Sequence, residues 1–138
     1  MKLIRVSAIA GELAGVALLC MCAVAQNTTS ASTSDNKFVL SALEGGNAEV
    51  ELGQLAAQKG SSQDVKQFGQ KMVDDHTKLG DQMKRVAEKE GINPPNTIPP
   101  KDRALEAKLK SLSGDAFDTA YIKAMVKDHR HDLSEFNK

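Results

Sequence analysis

Two histidines in this chain close the same short pattern. Phe68-x-x-x-Met72-Val73-x-Asp75-His76 and Tyr121-x-x-x-Met125-Val126-x-Asp128-His129 repeat an aromatic, an apolar pair, an acid and a histidine at the same offsets, 53 positions apart. Imidazole carries protons near neutral pH and is a common metal ligand, so a pair of them invites a search for a carboxylate. On a helix, position 76 is flanked by Met72, Val73, Leu79 and Gly80, and position 129 by Met125, Val126, Asp132 and Leu133. Both rings are therefore expected to point inward, with Asp132 beside His129. Glu49, flanked by Gly45, Gly46, Leu52 and Gly53, is the acid set among small and apolar neighbours, whereas Glu44 and Glu51 fall nearer the polar boundary. Glu49, His76 and His129 are the candidate metal ligands. Their nitrogen and oxygen donors suit a transition metal (iron, zinc, manganese or copper) rather than calcium.

The same three residues have a second reading. Buried polar side chains must find partners, and an inward glutamate facing inward histidines satisfies all of them without any ion. A carboxylate-bridged di-iron centre is disfavoured, because such centres use Glu-x-x-His on two helices. Val73 and Val126 occupy the positions where those glutamates would stand. Asp75 and Asp128 adjoin the histidines but are rotated about 100° around a helix from them, which argues against a shared metal. His131 falls on another face than His129 and reads as exposed, Tyr121 as a core aromatic with its hydroxyl at the edge. Lys71, Lys78, Lys84 and Arg85 read as a solvated helix face. The sequence holds no phosphate-binding glycine loop and no nucleophile elbow. No catalytic residue, small-molecule substrate or organic cofactor is assigned, and the reading leans away from an enzyme.

The elements that must carry these residues are helical. No stretch sustains a period of two, and Ala, Leu, Lys, Glu and Gln are abundant beside four Phe and one Tyr. A first helix is expected from about 36 to 59 on a stripe of Phe38, Val39, Ala42, Val50, Leu52, Leu55 and Ala56. Gly45, Gly46 and Gly53 inside it suggest close approach of a neighbour, since each costs roughly 1 kcal/mol in propensity. Ser61 with Asp64 resembles a capping box for a second helix reaching about 90, buried through Val65, Phe68, Met72, Val73, His76, Leu79, Met83 and Val86. Residues 92–100, INPPNTIPP, are an extended crossover. A short amphipathic segment over 101–112 (Leu105, Leu109, Leu112) and a last helix from 115 follow. A tight pair, a long crossover and further helices is the wiring of ferritin-like bundles.

The ends of the chain speak to location. Lys2 and Arg5, an apolar run over 13–24 and the small-x-small triplet Ala23-Val24-Ala25 form a secretory pattern, giving a signal peptide over 1–25 and a mature start at Gln26. Cys20 follows Leu19 and Cys22 follows Met21, so neither has the small residue that precedes a lipid-attachment cysteine. Cleavage discards both cysteines and with them disulfide and thiolate chemistry. It leaves 16 basic and 17 acidic side chains, a net charge of −1 and no basic stripe, which excludes nucleic acid as a partner. Residues 26–36 read as a flexible leader and 37–138 as one helical domain.

The stretches FVLSALEGGNAEVELGQLAAQKGSSQDVKQFGQKMVDDHTK and AFDTAYIKAMVKDHRHDL resemble the domain of unknown function 4142 family over about residues 37–138. The most specific pieces are Ala48-Glu49-Val50-Glu51-Leu52-Gly53, Met72-Val73-Asp74-Asp75-His76, and Phe117-Asp118-x-x-Tyr121 with Asp128-His129. The resemblance implies an exported bacterial protein, periplasmic or associated with the outer membrane, with a ferritin-like helical fold and no assigned reaction. It also implies recurring Glu and His positions at Glu49, His76 and His129. Family members continue into a fourth long helix with a further histidine, whereas this sequence stops at Lys138. The expectation is an all-α, ferritin-like up-down bundle lacking that helix, with a groove lined by Val50, Met72, Met125 and Leu133. Such a chain is expected to be marginal, oligomeric or molten, completed by self-association or an envelope protein partner.

Overall fold

The computed structural model describes residues 32–137. The expected signal peptide over 1–25 and the first part of the leader expected over 26–36, residues 26–31, lie outside the described residues. Four helices follow in order: α1 (Thr33–Lys59), α2 (Gln63–Lys89), α3 (Pro100–Lys110) and α4 (Gly114–Phe136). The result is an all-α bundle with no strand among the described residues, as composition and periodicity predict. None of these helices is long and apolar enough to cross a membrane.

Each boundary has a local cause. Ser32 and Asp35 form a reciprocal capping box that starts α1 within the stretch expected to be flexible leader, so 33–36 are helical instead. The cap of α2 is Ser62, one residue later than expected, with its hydroxyl accepting from the Val65 amide. The two amides just before α2 are met from across the bundle: Ser61 N–H and Ser62 N–H donate to the two oxygens of Asp118, both at 2.8 Å. Burial opposes ionisation of Asp118, but those donors hold its pKa below the ordinary value. Gly91 ends the α2 turn with φ +69°, a conformation that side chains with a Cβ resist.

α1 and α2 pack as a close antiparallel pair through a glycine contact. A Cβ on Gly69 would lie 2.7 Å from Gly53 O, and a Cβ on Gly53 2.8 Å from Gly69 O. The expected close approach thus holds at Gly53. It fails at Gly45 and Gly46, where an added Cβ would meet nothing within 4 Å.

Two apolar clusters hold the helices together. The larger joins Leu52, Leu55 and Ala56 of α1 to Val65 and Met72 of α2, Leu109 of α3, and Phe117, Tyr121 and Met125 of α4. Those three α4 residues recur every four positions and form the stripe that α4 buries. The smaller lies at the other end of the α1–α2 pair: Val39, Leu43, Ala87 and Ile92. The crossover also contributes Ile98 to the buried set, and Asn47 fastens it by donating to Pro95 O at 3.1 Å.

The expected open groove does not form as drawn. Met72 and Met125 are core residues, 5% and 2% exposed, because α3 lays Leu109 against the same cluster. Leu133 is exposed, and Val50 is half-buried. Leu79 and Val86 were expected on the buried face of α2, and Phe38 on that of α1. All three are exposed; around Leu79 and Val86 the period is right but no described element covers that side.

Candidate metal centre

Glu49 lies on α1 between Leu43 of the smaller apolar cluster and Leu52 of the larger one, and is 5% exposed. His76 occupies the corresponding level of α2, between Met72 and Met83, and α4 delivers His129 one turn after buried Met125. A polar layer therefore separates the two apolar clusters. Its components are the three residues singled out from helix faces.

The structure brings them together. One ligand atom from each of Glu49, His76 and His129 lies within 4.8 Å of the others. His76 Nδ1 is 2.7 Å from Glu49 Oε2, and His129 Nε2 is 3.7 Å from Glu49 Oε1. The two imidazole rings meet edge to face, with centroids 6.0 Å apart. The close contact with the carboxylate raises the His76 pKa, against the opposing effect of burial.

The short His76–Glu49 separation is an ion-pair contact without hydrogen-bond alignment. His76 Nδ1 and Glu49 Oε1 are both enclosed and lack a hydrogen-bond partner among the described residues. Tyr121 Oη shares that condition. The Tyr121 hydroxyl is thus not at the edge: the residue is fully buried, and burial together with the Glu49 charge raises its pKa. Buried polar atoms left without partners are rare in folded proteins and ask for an explanation such as a bound ion or water.

The tautomer of His129 follows from its surroundings. Its Nδ1 lies 2.9 Å from Met125 O. A carbonyl only accepts, so Nδ1 carries a proton, and in the neutral imidazole Nε2, 3.7 Å from Glu49 Oε1, is the nitrogen with the lone pair. An imidazole with one nitrogen tied to a backbone carbonyl and the other free is the usual setting of a metal-bound histidine.

Three acids around this layer were not among the candidate ligands, although Asp132 was expected beside His129. Asp128, expected to be rotated away, joins Asp132 and Glu49 in a second group of ligand atoms within 4.8 Å of one another. The rotation about α4 is as expected; the helix sits so that both Asp128 and His129 border Glu49. Burial, with the charges of Asp128 and Glu49, raises the Asp132 pKa. Asp102, in the first turn of α3, is 7% exposed, and burial followed by the same two carboxylates raises its pKa. Only the acid in the first turn after Pro99-Pro100 hinted at Asp102. Asp75 remains on the surface, paired with Lys71 at 2.7 Å, and His131 is exposed as expected.

The model of the family described as Domain of unknown function (DUF4142) matches residues 20–138. No curated protein and no solved structure matches the chain.

Proposed function

The chain belongs to the family described as Domain of unknown function (DUF4142), and from that membership and the geometry above we propose that it is an exported, ferritin-like helical protein that binds one transition metal ion through Glu49, His76 and His129. The observation that carries this reading is the setting of His129, with Nδ1 tied to the Met125 carbonyl and Nε2 on the side of a buried carboxylate and a second imidazole. Two imidazoles and a carboxylate match zinc, iron, manganese or copper, and three protein ligands leave a position open. The enclosed, unpartnered Glu49 Oε1 and His76 Nδ1 support it, because an ion would satisfy both. No step of catalysis is assigned, and binding or storage is the activity proposed. The basic start, apolar run and Ala23-Val24-Ala25 triplet support export, and the location proposed is the periplasm or the outer membrane.

Metal analysis of the full chain, purified without a histidine tag and titrated with Zn2+, tests the reading. One equivalent is expected, lost in His76→Ala and in His129→Ala but retained in His131→Ala. Metal-free protein that takes up no zinc, with stability unchanged by zinc, would establish the cluster as a structural Glu/His arrangement instead.

A further inference from the structure

Asp128 and Asp132 stand one turn apart on α4, and one oxygen of each lies within 4.8 Å of a Glu49 oxygen and of the other. This set contains no nitrogen. The imidazoles of His76 and His129 lie against its Glu49 member. Its two aspartates have only Lys101 as an ion-pair partner among the described residues, through Asp128: Lys101 Nζ approaches Asp128 Oδ1 at 3.5 Å and Asp102 Oδ2 at 4.0 Å, from a side chain that is 64% exposed. An exposed lysine is a weakly held counter-ion.

Acidic residues gather on many surfaces without binding anything, so the acidity alone decides little. The independent observation is Glu49 Oε1, enclosed and without a hydrogen-bond donor, on a side chain that is 6% exposed. Its sibling oxygen faces His76. One oxygen of this buried carboxylate is thus left without a donor although the other has its imidazole, and the carboxylate stands in a group with two more, so a cation bound there would supply the missing partner. Oxygen-only ligand sets of this kind favour hard divalent cations over zinc or copper.

We infer that Glu49, Asp128 and Asp132 form a second cation position that takes a hard divalent ion such as Mn2+, displacing the Lys101 ammonium from Asp128. The position shares Glu49 with the histidine pocket but needs neither histidine, so it goes beyond the function proposed above. Lys101 then sets its affinity: the ammonium competes with the ion for Asp128, and its long, exposed side chain swings away when the ion binds.

Titration of the full chain with Mn2+, followed by loss of the free-ion electron paramagnetic resonance signal, is the test. Asp128→Asn and Asp132→Asn are near-isosteric, and each is expected to weaken binding by at least the roughly 10–100-fold that loss of even an outer-shell partner costs. Lys101→Met is expected to strengthen it about 1.5–5-fold, the equivalent of one exposed ion pair. His76→Ala is expected to leave Mn2+ binding in place while removing zinc. Thermal transitions confirm that each variant is folded, and either aspartate variant suffices if the other is not. No Mn2+ binding, or binding lost in His76→Ala and indifferent to both aspartate variants, overturns the inference. Zinc uptake by the same samples separates the two ideas. Zinc without Mn2+ leaves the histidine pocket standing alone, and Mn2+ without zinc, weakened by the aspartate variants and kept in His76→Ala, leaves only the carboxylate position.

Discussion

The two copies of the Met-Val-x-Asp-His pattern fold into the same helical shape and face each other, yet only part of each is used alike. Phe68 and Tyr121 meet with ring centroids 6.1 Å apart, Met72 and Met125 enter one core, and His76 and His129 share Glu49. The positions between them diverge. Asp75 lies on the surface beside Lys71, whereas Asp128 borders Glu49. Gly69 presses against the backbone of α1, while Ile122, its counterpart, is 36% exposed. One turn past the histidines, Leu79 is exposed and Asp132 is half-buried near Glu49. Identical spacing sets which residues share a stripe. How closely each helix approaches its neighbours sets what the flanks of that stripe touch.

The largest effects should come from the shared positions. Met72→Ala and Met125→Ala are each expected to cost about 2–5 kcal/mol in urea unfolding, the range for truncating a buried methionine. Because both side chains line one cluster, the double variant should depart from additivity. Additive costs near zero would mean that the two copies do not share a core.

A smaller effect separates the copies. A Cβ on Gly69 would stand 2.7 Å from Ala57 N as well as from Gly53 O, so Gly69→Ala must push α1 and α2 apart. A loss of about 1–3 kcal/mol is expected from such overpacking. Ile122→Ala, at the equivalent place in the second copy, should stay within about 0.5 kcal/mol. Equal costs at the two sites would erase the asymmetry drawn here.

The finest effect is in pH dependence. The His76 pKa is raised in the fold above 6.5, so its contribution to stability is complete below 6.5 and is lost as pH rises through the folded value. Asp102 and Asp132, also raised, act in the same direction from 3.8 upward. The thermal midpoint of the metal-free protein is therefore expected to fall between about pH 5 and pH 8, with a shallower fall in His76→Gln. With saturating zinc the slope should reverse, because the metal competes with protons for the imidazoles. A metal-free midpoint that rises over this interval would contradict the assigned contacts of His76.

Much of this protein was legible in one dimension. The four helices follow from the absence of a two-residue period and from Gly60, Gly91 and the proline crossover, because these act locally on backbone dihedrals. The inward placement of Glu49 and His76 follows for a similar reason: a helix fixes which side chains share a face. What the sequence could not supply was what lies opposite that face. Leu79 and Val86 fit the buried period of α2 yet are exposed, Gly45 and Gly46 meet no neighbour, and Asp118 of α4 caps α2 from more than fifty residues away. Asp128 shows the distinction most sharply. Its rotation relative to His129 is a property of α4 alone, and the sequence determined it. Whether a position about 100° off the stripe means solvent or a carboxylate cluster depends on the seat of α4 against α1, which non-local packing decides and only the tertiary structure displays.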